Sequence, residues 1–442
     1  MARGDAGEMI ATEPYAEAFS ELDARRAADP EEVRNLRRQG IARFQNRGWP
    51  TAREEDWRNT NVSPIASREF FPAPVEARNG ESPFLDDSIV PAEGPRAVFV
   101  DGRFAPGLST EAPGCSMSPL RDALAADAGR ILPLLSRLSS STDPFAMLND
   151  AFLEEGIVLE VPKGRVLQQP IHLVFRSSGS EILSSIRNLV LAGEGSAVTL
   201  VETFAGTART SLTNSITQIA AGQNSAVEHV KIQRESLGAF HVGSLRVEQA
   251  RDSRFLSHLF STGAALARNN VHASLDAEGA ECSLNGLFFA TGTQRVDNFT
   301  VIDHARPHGT SRELYKGILD GEARGAFTGR ILVRAGAQKT DSQQSSQNLI
   351  LSRDALVNST PQLEILANDV KCKHGATTGQ LDSDALFYLR SRGLSEEASR
   401  NLLTYAFAAE LVQRVAQPEL RRRVDALLHG ILPFAPAIQE LA

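Results

Sequence analysis

The sequence predicts a mainly β protein whose core is a parallel β-helix, with helical regions before and after it. Three observations carry this. Between residues 156 and 376, short β-branched runs such as Ile157-Val-Leu-Glu-Val161, Ile171-His-Leu-Val-Phe175 and Val198-Thr-Leu-Val201 are separated by Gly, Asn, Asp and Ser. A weak repeat crosses the same region: Ala192-Gly-Glu-Gly-Ser-Ala-Val, Ala221-Gly-Gln-Asn-Ser-Ala-Val and Ala250-Arg-Asp-Ser-Arg-Phe-Leu are turn-then-strand units spaced by about 29 residues. Similar turns recur at Asp276-Ala-Glu-Gly, Asp320-Gly-Glu-Ala and Ser352-Arg-Asp-Ala. Helical periodicity, finally, is confined to the two ends. A stacked solenoid suits such units better than a generic β-sandwich, which needs tighter hairpins. The sandwich is the alternative on pattern alone.

The N-terminal region, 1–155, reads as helical and loop-rich. Asp29-Pro30-Glu31-Glu32 is a helix start, with Asp29 as cap, Pro30 in the first turn and Glu32 closing a capping box. Val33, Leu36, Ile41 and Phe44 follow at roughly helical spacing, and Gly48-Trp49-Pro50 stops the run. Residues 51–60 are polar. From 67 to 119, Pro and Gly with short apolar pieces predict a connector, after which 120–138 and 144–152 return to helix. The core spans 156–376 and a helical C-terminal region 377–442. There, Asp382 to Gly393 opens on acids, closes on arginines and stops at Gly. Ser395-Glu-Glu caps the next helix, whose apolar stripe is Leu402, Leu403, Phe407 and Leu411. Pro418 begins a third helix, over 419–428.

Composition narrows the function. Hydrophobic residues at 42% and charged residues at 23% are ordinary for a globular chain and exclude wholesale disorder. With 46 Lys and Arg against 54 Asp and Glu, the net charge of −8 argues against broad nucleic-acid affinity. No apolar run is long enough to span a membrane, and the first residues show no secretion signal. Three cysteines (Cys115, Cys282, Cys372) write no disulfide framework, so a reducing cytoplasm is the expected setting. The pair Gly-Lys is absent, which rules out a Walker A loop and any nucleotide site of that type. Other common catalytic motifs are missing too, among them His-Glu-x-x-His, Cys-x-x-Cys and Gly-x-Ser-x-Gly.

Chemistry concentrates in Asp369-Val-Lys-Cys-Lys-His-Gly-Ala-Thr-Thr-Gly-Gln-Leu-Asp382. In an extended chain, Cys372 and His374 share one face and Lys371 and Lys373 the other. Flanking lysines favour the thiolate, the form that binds metal or accepts sulfur. A thiolate and an imidazole two residues apart make a half-site for iron or zinc, although one Cys-x-His pair is commonly incidental. With only three scattered cysteines, an all-thiolate cluster within one chain is impossible, so any metal held here needs ligands from a second subunit or from substrate. In Asp303-His-Ala-Arg-Pro-His308, Pro307 spoils the helical pairing of His304 with His308, and buried, hydrogen-bonded histidines of a β core are expected instead. Trp57 reads as a packing anchor, Arg421-Arg422-Arg423 as a solvated helix face, and Glu54, Glu55 and Asp56 as surface charge.

Several segments together resemble the SufB/SufD family of iron–sulfur cluster assembly scaffolds. They are Glu55-Asp-Trp-Arg-Asn-Thr-Asn61, the stretch from Asp303 to Gly321, Gln338-Lys-Thr-Asp-Ser-Gln-Gln, Gln347-Asn-Leu-Ile-Leu-Ser352, and, most specific, Leu363 through Asp382 running on into Leu386-Phe-Tyr-Leu-Arg-Ser-Arg-Gly393. The segment His374-Gly-Ala-Thr-Thr-Gly-Gln resembles the D-type form of the motif, where the B-type carries His-His-Glu-Ala-Thr and more cysteines.

The resemblance implies a right-handed parallel β-helix flanked by helices, pairing with a SufB-type subunit through the β-helix ends. It implies that His374, with Cys372 beside it, contacts a nascent iron–sulfur cluster or iron shared with the SufB-type subunit. It implies docking of a SufC-type ATPase on the C-terminal helices, through Asp382, Leu386, Phe387, Tyr388, Arg390, Leu402, Leu403 and Phe407. The chain is then a non-catalytic scaffold, with ATP hydrolysis in the partner. Homodimer formation in isolation, flavin binding and cluster type stay open. Two alternatives stand beside this: a purely structural partner that never touches iron, and a carbohydrate-active β-helix enzyme. The second needs aligned carboxylates and many exposed rings, but aromatics are only 6% and Phe dominates them.

Overall fold

Most β runs pair not with the next run in sequence but with the one after it. The computed structural model describes residues 12–74, 94–137 and 142–432. Its strands are β1 (Arg96–Val100), β2 (Arg103–Phe104), β3 (Ser116–Pro119), β4 (Ile157–Val161), β5 (Ile171–Ser177), β6 (Ile182–Ala192), β7 (Ala197–Gly206), β8 (Ser211–Ala221) and β9 (Ala226–Arg234). There follow β10 (Phe240–Gln249), β11 (Arg254–Ser261), β12 (Leu266–Leu275), β13 (Glu281–Ala290), β14 (Arg295–His304), β15 (Thr310–Leu319), β16 (Arg324–Val333), β17 (Asp341–Ile350), β18 (Leu356–Ile365) and β19 (Lys371–Gly379). From β4 onward, even strands stack in parallel in a nine-stranded sheet and odd strands in a ten-stranded one, so the chain winds as a two-sheet parallel solenoid. Equivalent positions on neighbouring rungs fall 29 residues apart in several places, as at Asn269 and Asn298, which is the predicted repeat.

The repeat does not keep one corner. The turns at 192–196, 221–225, 250–253 and 276–280 carry the chain from the nine- to the ten-stranded sheet, whereas those at 320–323 and 351–355 carry it back. Both corners demand the same short polar turn chemistry, which is why they look alike in sequence. The solenoid also begins earlier than the β-branched texture does. β1 lies in the stretch read as a connector and pairs in parallel with β5. Its inward Phe99 stacks on Phe175, at 5.2 Å between ring centroids, and Phe175 on Phe204 at 4.6 Å, giving an aromatic column through three rungs. Much of the predicted connector, 75–93, lies outside the described residues.

Helices close the two outer faces. α1 (Glu13–Arg25), α2 (Glu31–Arg47), a short α3 (Ser63–Ala66), α4 (Leu120–Arg137) and α5 (Pro144–Ala151) form the N-terminal layer. Tyr15, Phe44, Trp49, Trp57 and Phe145 of this layer join Leu183, Leu212, Phe240 and Leu266 of the nine-stranded sheet in one cluster. Asp29 does not cap α2; it pairs with buried Arg37 at 2.7 Å, and no side-chain cap is formed. On the opposite side, α6 (Ser383–Ser391), α7 (Glu396–Val412) and α8 (Pro418–Ile431) follow the last strand. Ala408, Leu411, Val412, Leu420, Val424 and Leu428 cover Val201, Val230, Phe260 and Leu287 of the ten-stranded sheet. The buried stripe of α7 is therefore Ala408, Leu411 and Val412, while Leu402, Leu403 and Phe407 are only half-buried. No described helix is long and apolar enough to cross a membrane.

Candidate functional site

The last rung of the solenoid ends each sheet. β18 and β19 are terminal strands, each with a neighbour on one side only, and Pro361, which cannot donate a ladder hydrogen bond, sits within β18 as edge strands allow. Leu356, Ile365 and Leu366 are exposed here, although Val333, in register with Ile365 one rung below, is fully buried. An unpaired edge leaves backbone donors and acceptors free to pair with another strand, and exposed apolar side chains surround it.

Cys372 and His374 both lie on β19. Cys372 is in register with Ser342 and His374 with Gln344, both buried, so the two stack above inward-facing residues of β17. Cys372 is half-buried against the solenoid core, whereas His374 is exposed because no further rung covers it. Two polar columns descend from them. Below Cys372, the Ser342 and Ser311 hydroxyls lie 2.7 Å apart, and Ser311 meets the His304 Nε2 at 2.9 Å. Below His374, Gln344 donates from its Nε2 to the Glu313 carboxylate at 2.6 Å.

The thiolate expectation fails. Burial pushes the Cys372 thiol up, the Asp341 charge adds to this, and the Ser342 backbone bond only partly opposes it. Lys371 and Lys373 point to the other face, where water screens them. At neutral pH the group is a thiol, and ligating a metal must release its proton. Among the described residues no group of three or more His, Cys, Asp or Glu side chains is arranged to hold a metal ion. Cys372 and His374 offer two donors at most.

The histidines at 304 and 308 divide. His304 is buried, its pKa held down to about 4 by burial. His308 is exposed, in a turn at φ 61°, with only a 3.9 Å approach to Glu278. Trp57 is the anchor expected of it: buried, stacked on Phe145 at 5.3 Å and covered by the Arg268 guanidinium at 4.0 Å. Arg422 and Arg423 pair with Glu419 on an exposed helix face.

The proposed docking residues differ in availability. Asp382 caps α6, accepting from the Asp384 and Ala385 amides. Phe387 and Tyr388 on α6 are 75% and 55% exposed, large rings with no core to fill. Leu386 is half-buried and Arg390 exposed. Phe407 instead fastens α7 to the sheet. Its carbonyl accepts from the buried Lys316 Nζ at 2.9 Å, and that ammonium lies 4.6 Å from its ring and 2.7 Å from the Glu410 carboxylate. Glu313, Lys316 and Gln344 lie within the segments that carry the family resemblance, but nothing local gives them a role. The 30- and 31-residue registers stack Gln344 and Glu313 under His374, while Lys316 faces α7.

Helical layers on both faces of a parallel solenoid, with a thiol and an imidazole at its open end, place the protein in the class of parallel β-solenoids. Residues 175–407 match the SufBD core domain of the SUF system for FeS cluster assembly, and 9–173 match the SufBD N-terminal region. The chain belongs to the SufBD family of iron–sulfur cluster assembly proteins. It is 30% identical to the iron–sulfur cluster assembly protein SufD of Escherichia coli, over 89% of this chain and 92% of that one. A SufBD family protein of Synechocystis is 32% identical over 85% and 86% of the two chains. A chloroplastic protein of Arabidopsis thaliana is 30% identical over 87% and 83%.

Proposed function

We propose that this chain is the D-type scaffold subunit of an iron–sulfur cluster assembly complex, working in the cytoplasm without catalysing a reaction itself. The observation that carries the proposal is the open last rung, with Cys372 and His374 on its inner side and an unpaired, partly apolar edge around them. A SufB-type subunit seated there completes the ligand set that this chain lacks, and the nascent cluster is the substrate held between them. A thiolate from the partner with the His374 imidazole, and Cys372 as an auxiliary thiol, holds iron loosely enough for later transfer. Exposed Phe387 and Tyr388 on α6 offer a SufC-type ATPase its docking surface. Closure of two such ATPases on nucleotide would pull α6 and, through it, α7 and α8, which are packed on the ten-stranded sheet, and so shift the solenoid ends.

Co-expression with SufB-type and SufC-type partners tests this. His374→Ala should leave the three-component complex intact on size exclusion while lowering the iron and sulfide recovered with it several-fold. Cys372→Ala should have the smaller effect. Unchanged cluster content in both variants would leave the chain a purely structural partner, and loss of the complex in His374→Ala would make that residue structural.

A further inference from the structure

Away from the last rung, a cavity of about 450 Å³ opens between the N-terminal layer and the outer face of the nine-stranded sheet, within the size range of small-molecule sites. Its floor consists of two rows set by strand register. One runs Ser244, Asn270, Phe299 and the next Arg246, His272, Val301, Arg330, across β10, β12, β14 and β16. Period-2 alternation turns these side chains outward while Leu245 and Val247 between them face the solenoid core. Its wall is the 54–57 segment, with Asp143 beside it.

Most charges around the cavity are already matched. Arg47 pairs with Glu54. Arg330 bonds Gln362 at 3.1 Å and faces Glu55 and Asp56 at 3.6 and 3.7 Å. Arg268 is pinned between the Trp57 and Phe299 rings by Asp297 at 2.6 Å, the Thr60 hydroxyl and the Asp56 carbonyl. The Asp143 carboxylate is engaged by the Phe145 amide at the start of α5.

Arg246 and His272 are the exceptions. They are cross-strand neighbours, and among the described residues neither makes a hydrogen bond or an ion pair within 4 Å. Their polar atoms nonetheless reach the cavity rather than being sealed in the core. Burial first, and then the neighbouring Arg246 charge, hold the His272 pKa below its usual value although Asp303 and Asp276 pull the other way, so the ring stands beside the guanidinium as a neutral imidazole able to donate to an anion. Asp143 balances the Arg246 charge only at a distance, with no ion pair between them.

We propose that this cavity binds a small organic anion, its phosphate or carboxylate head on Arg246 and His272 and its flat apolar part against Phe299. The planar guanidinium fork suits either oxyanion, and Ser244 and Asn270 supply further polar contacts. The half-buried Phe299 ring supplies the apolar surface. The site is independent of Cys372 and His374, which lie on the other sheet at the solenoid end.

Calorimetric titration of the full chain with phenyl phosphate, benzoate, inorganic phosphate and benzyl alcohol tests it. At least one aryl anion should bind saturably and more tightly than inorganic phosphate, with no binding of the neutral alcohol. Which aryl anion binds better decides the head group. Arg246→Gln should weaken binding at least tenfold at an unchanged melting temperature, and Phe299→Ala should abolish the advantage over inorganic phosphate. Should Arg246→Gln unfold, His272→Asn carries the same comparison. Absence of saturable anion binding, equal binding of benzyl alcohol, or wild-type affinity in folded Arg246→Gln and His272→Asn would overturn the proposal.

Discussion

Glu313 lies fully buried one rung below Gln344 and two below His374. Burial lifts its carboxyl from 4.5 to about 7, although bonds from Thr300 and Gln344 pull the other way. Between those two values the folded chain holds a proton that the unfolded chain has released, so stability falls as pH rises through that window and stays lower above it. Glu313→Gln keeps the shape and removes the charge. It should stabilise the protein by up to ~3 kcal/mol at about pH 8 and change little at about pH 4, read from denaturant midpoints. An equal gain at both pH values would mean that the carboxylate's charge is not the cause. At this scale the sequence was informative about Cys372 and His374, whose alternation alone gives their shared face. It misled on the thiol, because it shows the lysines but not the burial that outweighs them. Glu313 was illegible: an acid in a β run reads as solvent-facing until register puts it inside.

Elements were legible where local chemistry decides them and missed where contact does. Asp382 and Ser395 cap their helices as their neighbours in sequence announce, with side chains accepting from amides of the first turn. α1 has Tyr15 and Leu22 as its only buried residues and no side-chain cap, so its existence rests on packing that the sequence does not display. β1 is only five residues long, and it becomes a strand because β5 offers an edge. Gly40 shows the same limit in reverse. In a helix interior it looks like a weak point, since Ala is the better helix former by ~1 kcal/mol. Yet a Cβ there would sit 2.5 Å from the Ala151 amide nitrogen, because α2 and α5 meet backbone to backbone at that position. Gly40→Ala should therefore destabilise by ~1–3 kcal/mol despite its better propensity. A urea midpoint at or above that of the wild type would show that α5 can move aside freely.

At the scale of the molecule, the two helical layers do different work for the same solenoid, and this decides how the ATPase-docking proposal must be tested. Deleting the chain after Asp382 is the obvious experiment, and it is the wrong one. α7 and α8 cover Val201, Val230, Ile232, Phe260, Leu287, Leu314 and Ile318 on the ten-stranded sheet. They are tied down by Lys316, by the bond of Arg414 to Asn285 at 3.1 Å and by that of the Ala416 amide to Glu228 at 2.9 Å. Removing them bares a contiguous apolar face and leaves the buried Lys316 ammonium without its carbonyl and carboxylate, which costs several-fold more than a surface change. The truncated chain should bind a hydrophobic dye and aggregate whether or not a partner docks on α6. Phe387 and Tyr388 are the informative positions, because their exposure means that little of the fold rests on them. Phe387→Asp with Tyr388→Asp should keep the melting temperature within about a degree or two of the wild type, as surface changes do. The same double variant should lose co-purification of the SufC-type ATPase while retaining that of the SufB-type subunit, whose proposed contact is at the solenoid end. Retention of the ATPase by the folded double variant would move its docking surface off α6. Loss of both partners would mean that the two surfaces are one.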